Sequence, residues 1–394
     1  MRILAIATVL VVGALSACHQ RRLQPPAQEV DLVVIAPHPD DEVLMAGGVL
    51  EAALKAHRRV AVIVLTNGDF GCFDDRDGTV RQAETVTALS SLGVAEDDVH
   101  FLGYPDGHLP RLTDVPLPAV AWRAPDGSCR TRGATLATRG AGRQDEHTRR
   151  TGSPGPFTAE GLTGDLAALL EGLAPRDVYL PHAVDEHRDH AATYAFVRRA
   201  LERLNRGLIV LHRAIVHAGR CWPTDCATHY VPDADEPPLP APLEAYAPTE
   251  RVPVDAARKL SLIARYPTQA GPDAAQDWLA GFARRSEPFY VERLERKDGR
   301  WSRADVARAT ERPVGHGARV RLESGEELEL SVSPERATLH DGERVVATWS
   351  LAAVTPPYVL RVEQSSAEAG YSDWTLFGGG AFAGAGVVRG FPAP

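Results

Sequence analysis

Residues 36–42 read Ala-Pro-His-Pro-Asp-Asp-Glu, and they stand between two different apolar patterns. Val30–Ile35 is a short, β-branched apolar run that predicts a buried parallel strand. Val43–His57 has apolar positions on one face and predicts a helix. The stretch 36–42 therefore lies where a strand ends and a helix begins. In open α/β sheets this is the usual place for a ligand.

The side chains of this turn suit a metal ion. His38 and the adjacent carboxylates of Asp40 and Asp41 offer ligands for a divalent metal, with one carboxylate left over for proton transfer. Pro37 and Pro39 stiffen the turn and hold its residues out of helical geometry. An alternative makes Asp40 the helix N-cap and the next two acids part of the first helical turn. That alternative leaves His38 without a role.

Apolar β-rich runs alternate with helical patterns along the next part of the chain. Further strands are predicted at Arg59–Thr66, Asp98–Leu102, Asp177–Leu180, Gly207–Val216 and Phe289–Leu294. Further helices are predicted at Thr79–Leu92, Thr158–Gly172, Ala191–Asn205, Val254–Ala270 and Ala274–Ser286. The alternation predicts a Rossmann-like, three-layer αβα domain with a mostly parallel sheet over residues 30–295. Gly-x-Gly-x-x-Gly is absent after the first strand, so a dinucleotide site is not supported.

Two parts of the chain fall outside that alternation. The periodicity disappears at 109–157, and a segment of this length is typically functional, so we expect an insertion that shapes the substrate entrance. Its arginines could face an acidic substrate or solvent, and solvent is the expectation. Over 313–394 the apolar period changes to two, which predicts a small antiparallel β domain. We expect Trp349, Tyr358 and Trp374 to pack in its core instead of binding carbohydrate.

The first residues of the chain predict export. Ile3–Leu15 is an apolar run too short to span a bilayer, and it fits a secretory signal. Leu-Ser-Ala-Cys ending at Cys18 resembles a bacterial lipoprotein box, which implies cleavage before this residue and lipidation of its thiol. Residues 1–18 would then be the signal peptide and 19–29 a tether. We expect a membrane-anchored lipoprotein that faces the periplasm or the cell exterior; a plain signal peptide is the alternative.

Charge and cysteine content narrow the class of protein further. The 394 residues carry a net charge of −9 at pH 7, which argues against a general nucleic-acid binder. Besides Cys18, the cysteines are Cys72, Cys129, Cys221 and Cys226, and an even number in an exported chain predicts disulfides. The last two form the most local pair, which would leave the first two for each other. Spacing alone does not settle the pairing, because a bridge requires close Cα atoms.

A second histidine cluster follows another predicted strand. Residues 181–190 read Pro-His-Ala-Val-Asp-Glu-His-Arg-Asp-His. The carboxyl ends of parallel strands open on one side of a sheet, so His187 and His190 can meet His38. His38, Asp41 and one of these two histidines make a three-ligand site that leaves positions for water and substrate. That is the layout of a catalytic zinc site, in which a bound water loses its proton near neutral pH.

These motifs resemble those of the PIG-L/LmbE-like superfamily of zinc-dependent N-acetylglucosaminyl deacetylases. The stretch 36–42 and the His-Arg-Asp-His sequence at 187–190 are the most specific matches. Supporting matches are Thr66-Asn67-Gly68, Arg81 with Glu84, Phe101–Gly107 with Asp106 and, more weakly, Lys259, Tyr266 and Gln269. The resemblance covers roughly Asp31–Leu294, and it leaves out the insertion, the leader and the β-rich tail.

The resemblance implies chemical roles for the matching residues. His38, Asp41 and His190 would hold Zn²⁺, although such a site also takes other divalent ions according to their availability. Asp40 would be the general base that takes a proton from the attacking water. His187 would donate a hydrogen bond or a proton to the developing oxyanion.

Other matching residues would support the substrate or the ligands. The resemblance implies that Arg81 and Asp106 contact sugar hydroxyls. From position alone, Arg81 and Glu84 lie one helical turn apart and are expected to form a surface ion pair. Glu42 starts the helix after the turn and is expected to act as a cap or as a hydrogen-bond acceptor behind the ligands.

The reaction that the resemblance implies is amide hydrolysis, with release of acetate from an N-acetylated sugar or glycoconjugate. One alternative keeps the zinc site but makes the protein an amidase that acts on a non-acetyl conjugate. Another is a non-catalytic, lipid-anchored protein that binds a glycan or a metal. A full set of ligands with a spare base favours catalysis.

Overall fold

A computed structural model describes residues 29–72, 77–136, 144–224, 234–241, 243–269, 278–297, 300–315, 317–323, 325, 327–332, 336–341, 344–350, 356–367, 370–379 and 381–390. Helices α1–α6 are Asp41–Lys55, Gly78–Ser90, Glu146–Thr151, Ala159–Leu173, Arg188–Leu201 and Ala256–Ile263. Strands β1–β10 are Leu32–Ala36, Val60–Thr66, Val99–Tyr104, Val120–Arg123, Cys129–Arg132, Asp177–Pro181, Leu208–Ala214, Glu250–Pro253, Ser286–Lys297 and Arg300–Arg303. Strands β11–β18 are Val306–Val314, Gly317–Arg321, Glu327–Val332, Arg336–Asp341, Arg344–Ser350, Tyr358–Ser365, Tyr371–Gly378 and Ala381–Arg389. The expected signal peptide, Cys18 and most of the tether lie outside the described residues.

A mostly parallel sheet forms the centre of the first domain. Its strand order is β3-β2-β1-β6-β7-β9-β10, and β8 pairs with β9. Strands β3, β2, β1, β6 and β7 are parallel, whereas β9 is antiparallel to β7 and β10 is antiparallel to β9. The direction of chain progression reverses between β1 and β6, so a crevice opens outside the carboxyl ends of these two strands. The structure confirms the predicted αβα class.

Helices cover both faces of the sheet. Leu32 and Val34 of β1 pack in one buried cluster with residues of α1 and α6, while Val33 and Ile35 pack in another with residues of α4 and α5. Successive side chains of a strand point to opposite faces, so a strand covered on both sides needs an unbroken apolar run. In the described part of the chain, no helix combines the length and apolarity needed to cross a bilayer.

Helix α1, which begins in the turn after β1, is kinked at its centre. Ala46 has φ −139° and ψ 23°, outside helical geometry, and a pair of glycines follows it. The buried Glu287 carboxylate accepts hydrogen bonds from the N–H groups of Gly48 and Val49 at 2.8 and 2.9 Å. Lys259 Nζ donates to Glu287 Oε1 at 2.7 Å and to a carbonyl just before the kink at 2.8 Å. This buried ion pair therefore supports the kinked helix.

The segment 109–157 is more ordered than its composition predicts. It contains the β4–β5 hairpin and helix α3. Arg132 is buried and donates hydrogen bonds to both carboxylate oxygens of Asp69, at 3.1 and 2.9 Å. The expectation that the arginines of this segment face solvent is wrong for Arg132, because its planar guanidinium matches a buried carboxylate in the loop after β2.

Disulfides tie part of the chain together. Cys72 and Cys129 are bonded, with their Cα atoms 5.8 Å apart. This bridge fastens the β4–β5 hairpin to the loop after β2. Cys221 is also disulfide-bonded, and Cys226 lies outside the described residues.

The C-terminal part forms the predicted antiparallel β domain. It consists of two four-stranded sheets with the orders β11-β16-β17-β18 and β12-β13-β14-β15, which share one apolar core. Tyr358 and Trp374 are buried in this core as expected, while nothing is described for the side chain of Trp349. Phe382 of β18 packs into the α4–α5 side of the first domain. The first strand of the β domain begins at Val306, ahead of its predicted start.

The buried pair under α1 generates a prediction about stability. Lys259→Met keeps the apolar stem but leaves the Glu287 carboxylate buried without its cation. We expect the free energy of unfolding in urea to fall by about 3–5 kcal/mol. Lys55→Met is the matched control, because this side chain on α1 is 71% exposed in its pair with Glu51. The control should change stability by less than about 0.5 kcal/mol. Equal losses in both variants would contradict the account.

Candidate active site

The turn after β1 is buried, and hydrogen bonds to the Glu42 carboxylate stabilise it. His38, Asp40, Asp41 and Glu42 are all buried. Asp40 has a φ of 127°, which costs a residue with a side chain on the order of 1–3 kcal/mol. Its N–H donates to Glu42 Oε2 at 3.0 Å, and the hydroxyl of Tyr266 donates to Glu42 Oε1 at 2.6 Å. Glu42 is therefore an acceptor behind the turn, as predicted.

Asp41 lies between two imidazoles. Its Oδ2 is 3.1 Å from His38 Nδ1 and 3.2 Å from His190 Nε2. Donor atoms that bind one tetrahedral ion at about 2.0–2.2 Å lie roughly 3.3 Å apart. Both ring nitrogens of His190 are fully buried, and the carboxylate oxygens that lie 3.2 and 3.3 Å from them are not in hydrogen-bonding geometry. The structure thus brings both predicted imidazole ligands to one oxygen of Asp41, at distances that suit donor atoms of one metal ion.

In His38 and His190, the ring nitrogen that does not face Asp41 lies close to another carboxylate. His38 Nε2 is 3.1 Å from Asp106 Oδ1 and 3.2 Å from Asp189 Oδ2. His190 Nδ1 is 3.3 Å from Asp185 Oδ2. Metal-binding histidines usually direct their second nitrogen to such a carboxylate, which fixes the ring. Contact of Asp106 with a sugar hydroxyl stays a prediction.

Asp185 and Asp189 join the ends of three strands. Asp185 Oδ2 accepts hydrogen bonds from the N–H groups of Val216 and His217, just beyond β7, at 2.7 and 3.1 Å. Asp189 Oδ2 accepts from the N–H of Gly107, just beyond β3, at 2.7 Å. Sequence reasoning assigned no role to either carboxylate. Their position inside the motif after β6 was the only signal.

Arg81 is buried, so the expected surface ion pair is wrong. Its guanidinium donates to Asp40 Oδ2 at 3.1 Å, to the carbonyl of Pro39 at 2.8 Å and to the carbonyl of Gly68 at 2.9 Å. Glu84 is buried as well and accepts hydrogen bonds from a different loop. Both side chains are buried because the face of α2 that carries them points toward the carboxyl ends of the strands. Contact of Arg81 with a sugar hydroxyl stays a prediction.

Two further histidines border the predicted ligands. His187 precedes α5, and potential ligand atoms of His38, His187 and His190 lie within 4.8 Å of one another. His217 follows β7, and its potential ligand atom lies within the same distance of those of Asp41 and His190. Sequence reasoning missed His217. It comes directly after a predicted parallel strand, so the rule that brought His187 to the crevice could also have found it.

Burial and neighbouring charges perturb the protonation of the turn. Burial opposes a charge on His38, yet Asp106 raises its pKa well above the usual value. Burial also opposes a charge on Asp41, yet His190 lowers its pKa well below the usual range. For Asp40, burial raises the pKa to about 7, although a neighbouring guanidinium opposes the shift. Asp41 is therefore an anion at neutral pH, whereas Asp40 is poised to exchange a proton.

The two histidines after β6 have opposite protonation behaviour. Burial opposes a charge on His190, but Asp41 and Asp185 raise its pKa to about 10. Burial and, to a lesser degree, the neighbouring His38 lower the pKa of His187 to about 4. His187 is therefore a neutral imidazole at neutral pH.

Part of the chain matches a known protein family. Residues 33–201 match the family described as PIG-L: GlcNAc-PI de-N-acetylase. The matched range extends from β1 to the end of α5 and contains all three predicted metal ligands. Residues 33–201 are thus similar to the PIG-L family, as their motifs indicate.

Two curated relatives come from Mycobacterium sp., strains KMS and JLS. Each is described as 1D-myo-inositol 2-acetamido-2-deoxy-alpha-D-glucopyranoside deacetylase, and each is 31% identical over 186 residues. The matches cover 44% of this chain and 50% of the relatives. The chain thus spans about half the length of the curated relatives that it matches.

Solved structures of low sequence identity also resemble this chain. The N,N'-diacetylchitobiose deacetylase from Pyrococcus horikoshii is 18% identical with a TM-score of 0.40, covering 68% of this chain and 86% of that one. The conserved protein TT1542 from Thermus thermophilus is 21% identical with a TM-score of 0.37, covering 66% and 93%. The zinc inhibited form of teicoplanin deacetylase Orf2 is 17% identical with a TM-score of 0.39, covering 68% and 99%. At such TM-scores these likenesses carry no statement about function.

The contacts of Arg81 generate a second prediction about stability. Arg81→Met leaves the Asp40 carboxylate and two turn carbonyls buried without their donor. We expect a loss of about 3–5 kcal/mol in the free energy of unfolding in urea. Arg130→Met is the control, because the ion pair of Arg130 and Asp126 has side chains 56% and 57% exposed. A loss no larger than that of the control would show that the Arg81 contacts do not hold the turn.

Proposed function

We propose that the protein is a metal-dependent hydrolase that removes the N-acetyl group from N-acetylglucosamine-type sugars or glycoconjugates. The observation that carries this proposal is the position of the Asp41 carboxylate between His38 and His190, with the carboxylate of Asp40 left over. The family match of residues 33–201 and the relatives described as deacetylases of an acetamido sugar support the substrate class.

Three side chains would hold the metal. His38 Nδ1, Asp41 Oδ2 and His190 Nε2 form an imidazole–carboxylate–imidazole set that suits Zn²⁺ and also takes other divalent ions. Three protein donors leave room for a water molecule and the substrate carbonyl. When bound, the ion polarises the amide carbonyl and makes water more acidic.

Asp40 is the general base in this proposal. Asp40 and Asp41 are adjacent in the chain, but only Asp41 contacts the two imidazoles, so Asp40 is free to handle a proton. Arg81 fixes Asp40 Oδ2 from one side at 3.1 Å, which orients the carboxylate. Asp40 accepts a proton from the attacking water and returns it to the amine nitrogen as the amide bond breaks.

His187 stabilises the negative charge on the former carbonyl oxygen. Its Nδ1 accepts a hydrogen bond from the N–H of Asp189 at 3.3 Å. A neutral imidazole that accepts through one nitrogen carries its proton on the other. The N–H at Nε2 is therefore the group that donates to the oxyanion as it develops.

Three more proposals rest on the sequence. Arg81 and Asp106 contact sugar hydroxyls, as the family resemblance implies. Cys18 carries a lipid anchor that holds the protein at a bacterial membrane, facing the periplasm or the cell exterior. That location would give access to cell-wall, exopolysaccharide or glycoside substrates.

The division of roles between neighbouring residues is testable by substitution. Asp40→Asn should keep bound metal and lose about 10²–10⁴-fold in the rate of acetate release, because only the base is removed. His38→Ala should lose both the metal and the activity. The measurements are metal content and acetate release from N-acetylated chito-oligosaccharides and peptidoglycan fragments, with exposed His57→Asn as the control. Near wild-type turnover by Asp40→Asn would contradict the assignment of the base.

Removal of the metal tests its role separately. Dialysis against a chelator should abolish acetate release, and Zn²⁺ should restore it. The far-UV circular dichroism should not change, because the sheet and its two apolar clusters do not include the metal ligands. Full activity in metal-free protein would overturn the proposal. Bound metal without acetate release from any tested glycan would favour an amidase with another substrate, or a binding protein.

A further inference from the structure

We propose that His217 is a fourth protein donor of the metal centre, beside His38, Asp41 and His190. This inference rests on the proposed function, because it requires a metal ion at Asp41. It goes further by adding a ligand that the sequence motifs do not contain.

The position of His217 in the sheet brings it to the same crevice. It follows β7, which pairs in parallel with β6, so the carboxyl ends of both strands open on one side. Its ring centroid lies 4.8 Å from that of His190 and 5.1 Å from that of His187. A potential ligand atom of His217 lies within 4.8 Å of those of Asp41 and His190. His217 thus borders the predicted ligands on the β7 side of the site.

The ring and backbone of His217 are both fixed. Its imidazole stacks on the ring of Trp278, with centroids 5.1 Å apart and an angle of 21° between the planes. Its N–H donates at 3.1 Å to Asp185 Oδ2, the atom that also lies 3.3 Å from His190 Nδ1. One carboxylate therefore positions both histidines. A donor held in this way loses little conformational freedom when it binds an ion.

The ligand types are compatible with catalysis. Three imidazoles and one carboxylate still admit water or a substrate oxygen when the ion is five-coordinate, a geometry that catalytic zinc reaches during reaction. Such a nitrogen-rich set also suits cobalt, nickel and iron. The expected consequence is tighter metal binding than the motif ligands alone provide.

X-ray absorption at the zinc edge tests the inference on the purified protein. Wild-type protein loaded with one Zn²⁺ should show three imidazole ligands, and His217→Asn should show two. Competition with a chromogenic chelator should show a zinc Kd at least about tenfold higher in the variant. Loss of a residue that only hydrogen-bonds to a metal ligand already lowers metal affinity by about 10–100-fold. His57→Asn is the matched control, because His57 is exposed at the end of α1 with a φ of 55° that Asn tolerates.

The possible outcomes separate this inference from the proposed function. Two imidazoles in both wild type and His217→Asn, with equal Kd values, would overturn the role of His217 and leave the metal centre intact. Absence of bound zinc in the wild type would overturn both. If His217→Asn does not fold, as judged by its circular dichroism, the number of imidazoles in the wild type decides alone.

Discussion

The Asp41 carboxylate, buried between two imidazoles, is the interaction on which the site depends. Its Oδ2 lies 3.1 Å from one ring and 3.2 Å from the other, and the side chain is buried. An isolated charge would be very costly there, so the carboxylate requires positive charge or a cation beside it. Carboxylates and imidazoles alternate further from Asp41 as well. Asp106 and Asp185 face the second ring nitrogen of His38 and His190, respectively. Charge balance thus links the carboxyl ends of β1, β3 and β6 around one point.

The topology of the sheet makes this balance possible. The strand order reverses between β1 and β6, so the turn after β1 and the segment before α5 face each other across one crevice. The turn is held in a costly backbone conformation at Asp40, and Glu42 and Arg81 stabilise it through hydrogen bonds. Lys259 and Glu287 support the kink in the helix that follows. Rigid support of this kind keeps reactive groups in position before a substrate binds.

Sequence could predict the strand ends but not the contacts between elements. The apolar run before residue 36 and the polar residues after it located the turn, and the strand-end rule brought His187 and His190 to it. Arg81 was assigned to the surface because helical spacing does not reveal which face of α2 meets the sheet. Arg132 was assigned to solvent because its partner, Asp69, lies far away in the chain and only the folded hairpin brings them together. Such pairings depend on tertiary packing, which no local pattern records.

Anomalous diffraction at the zinc absorption edge, from crystals of the zinc-loaded protein, tests the central claim most directly. The account predicts one strong peak bonded to His38 Nδ1, Asp41 Oδ2 and His190 Nε2, at about 2.0–2.2 Å from each. A peak at another place on the protein, with these three atoms left unbound, would contradict it.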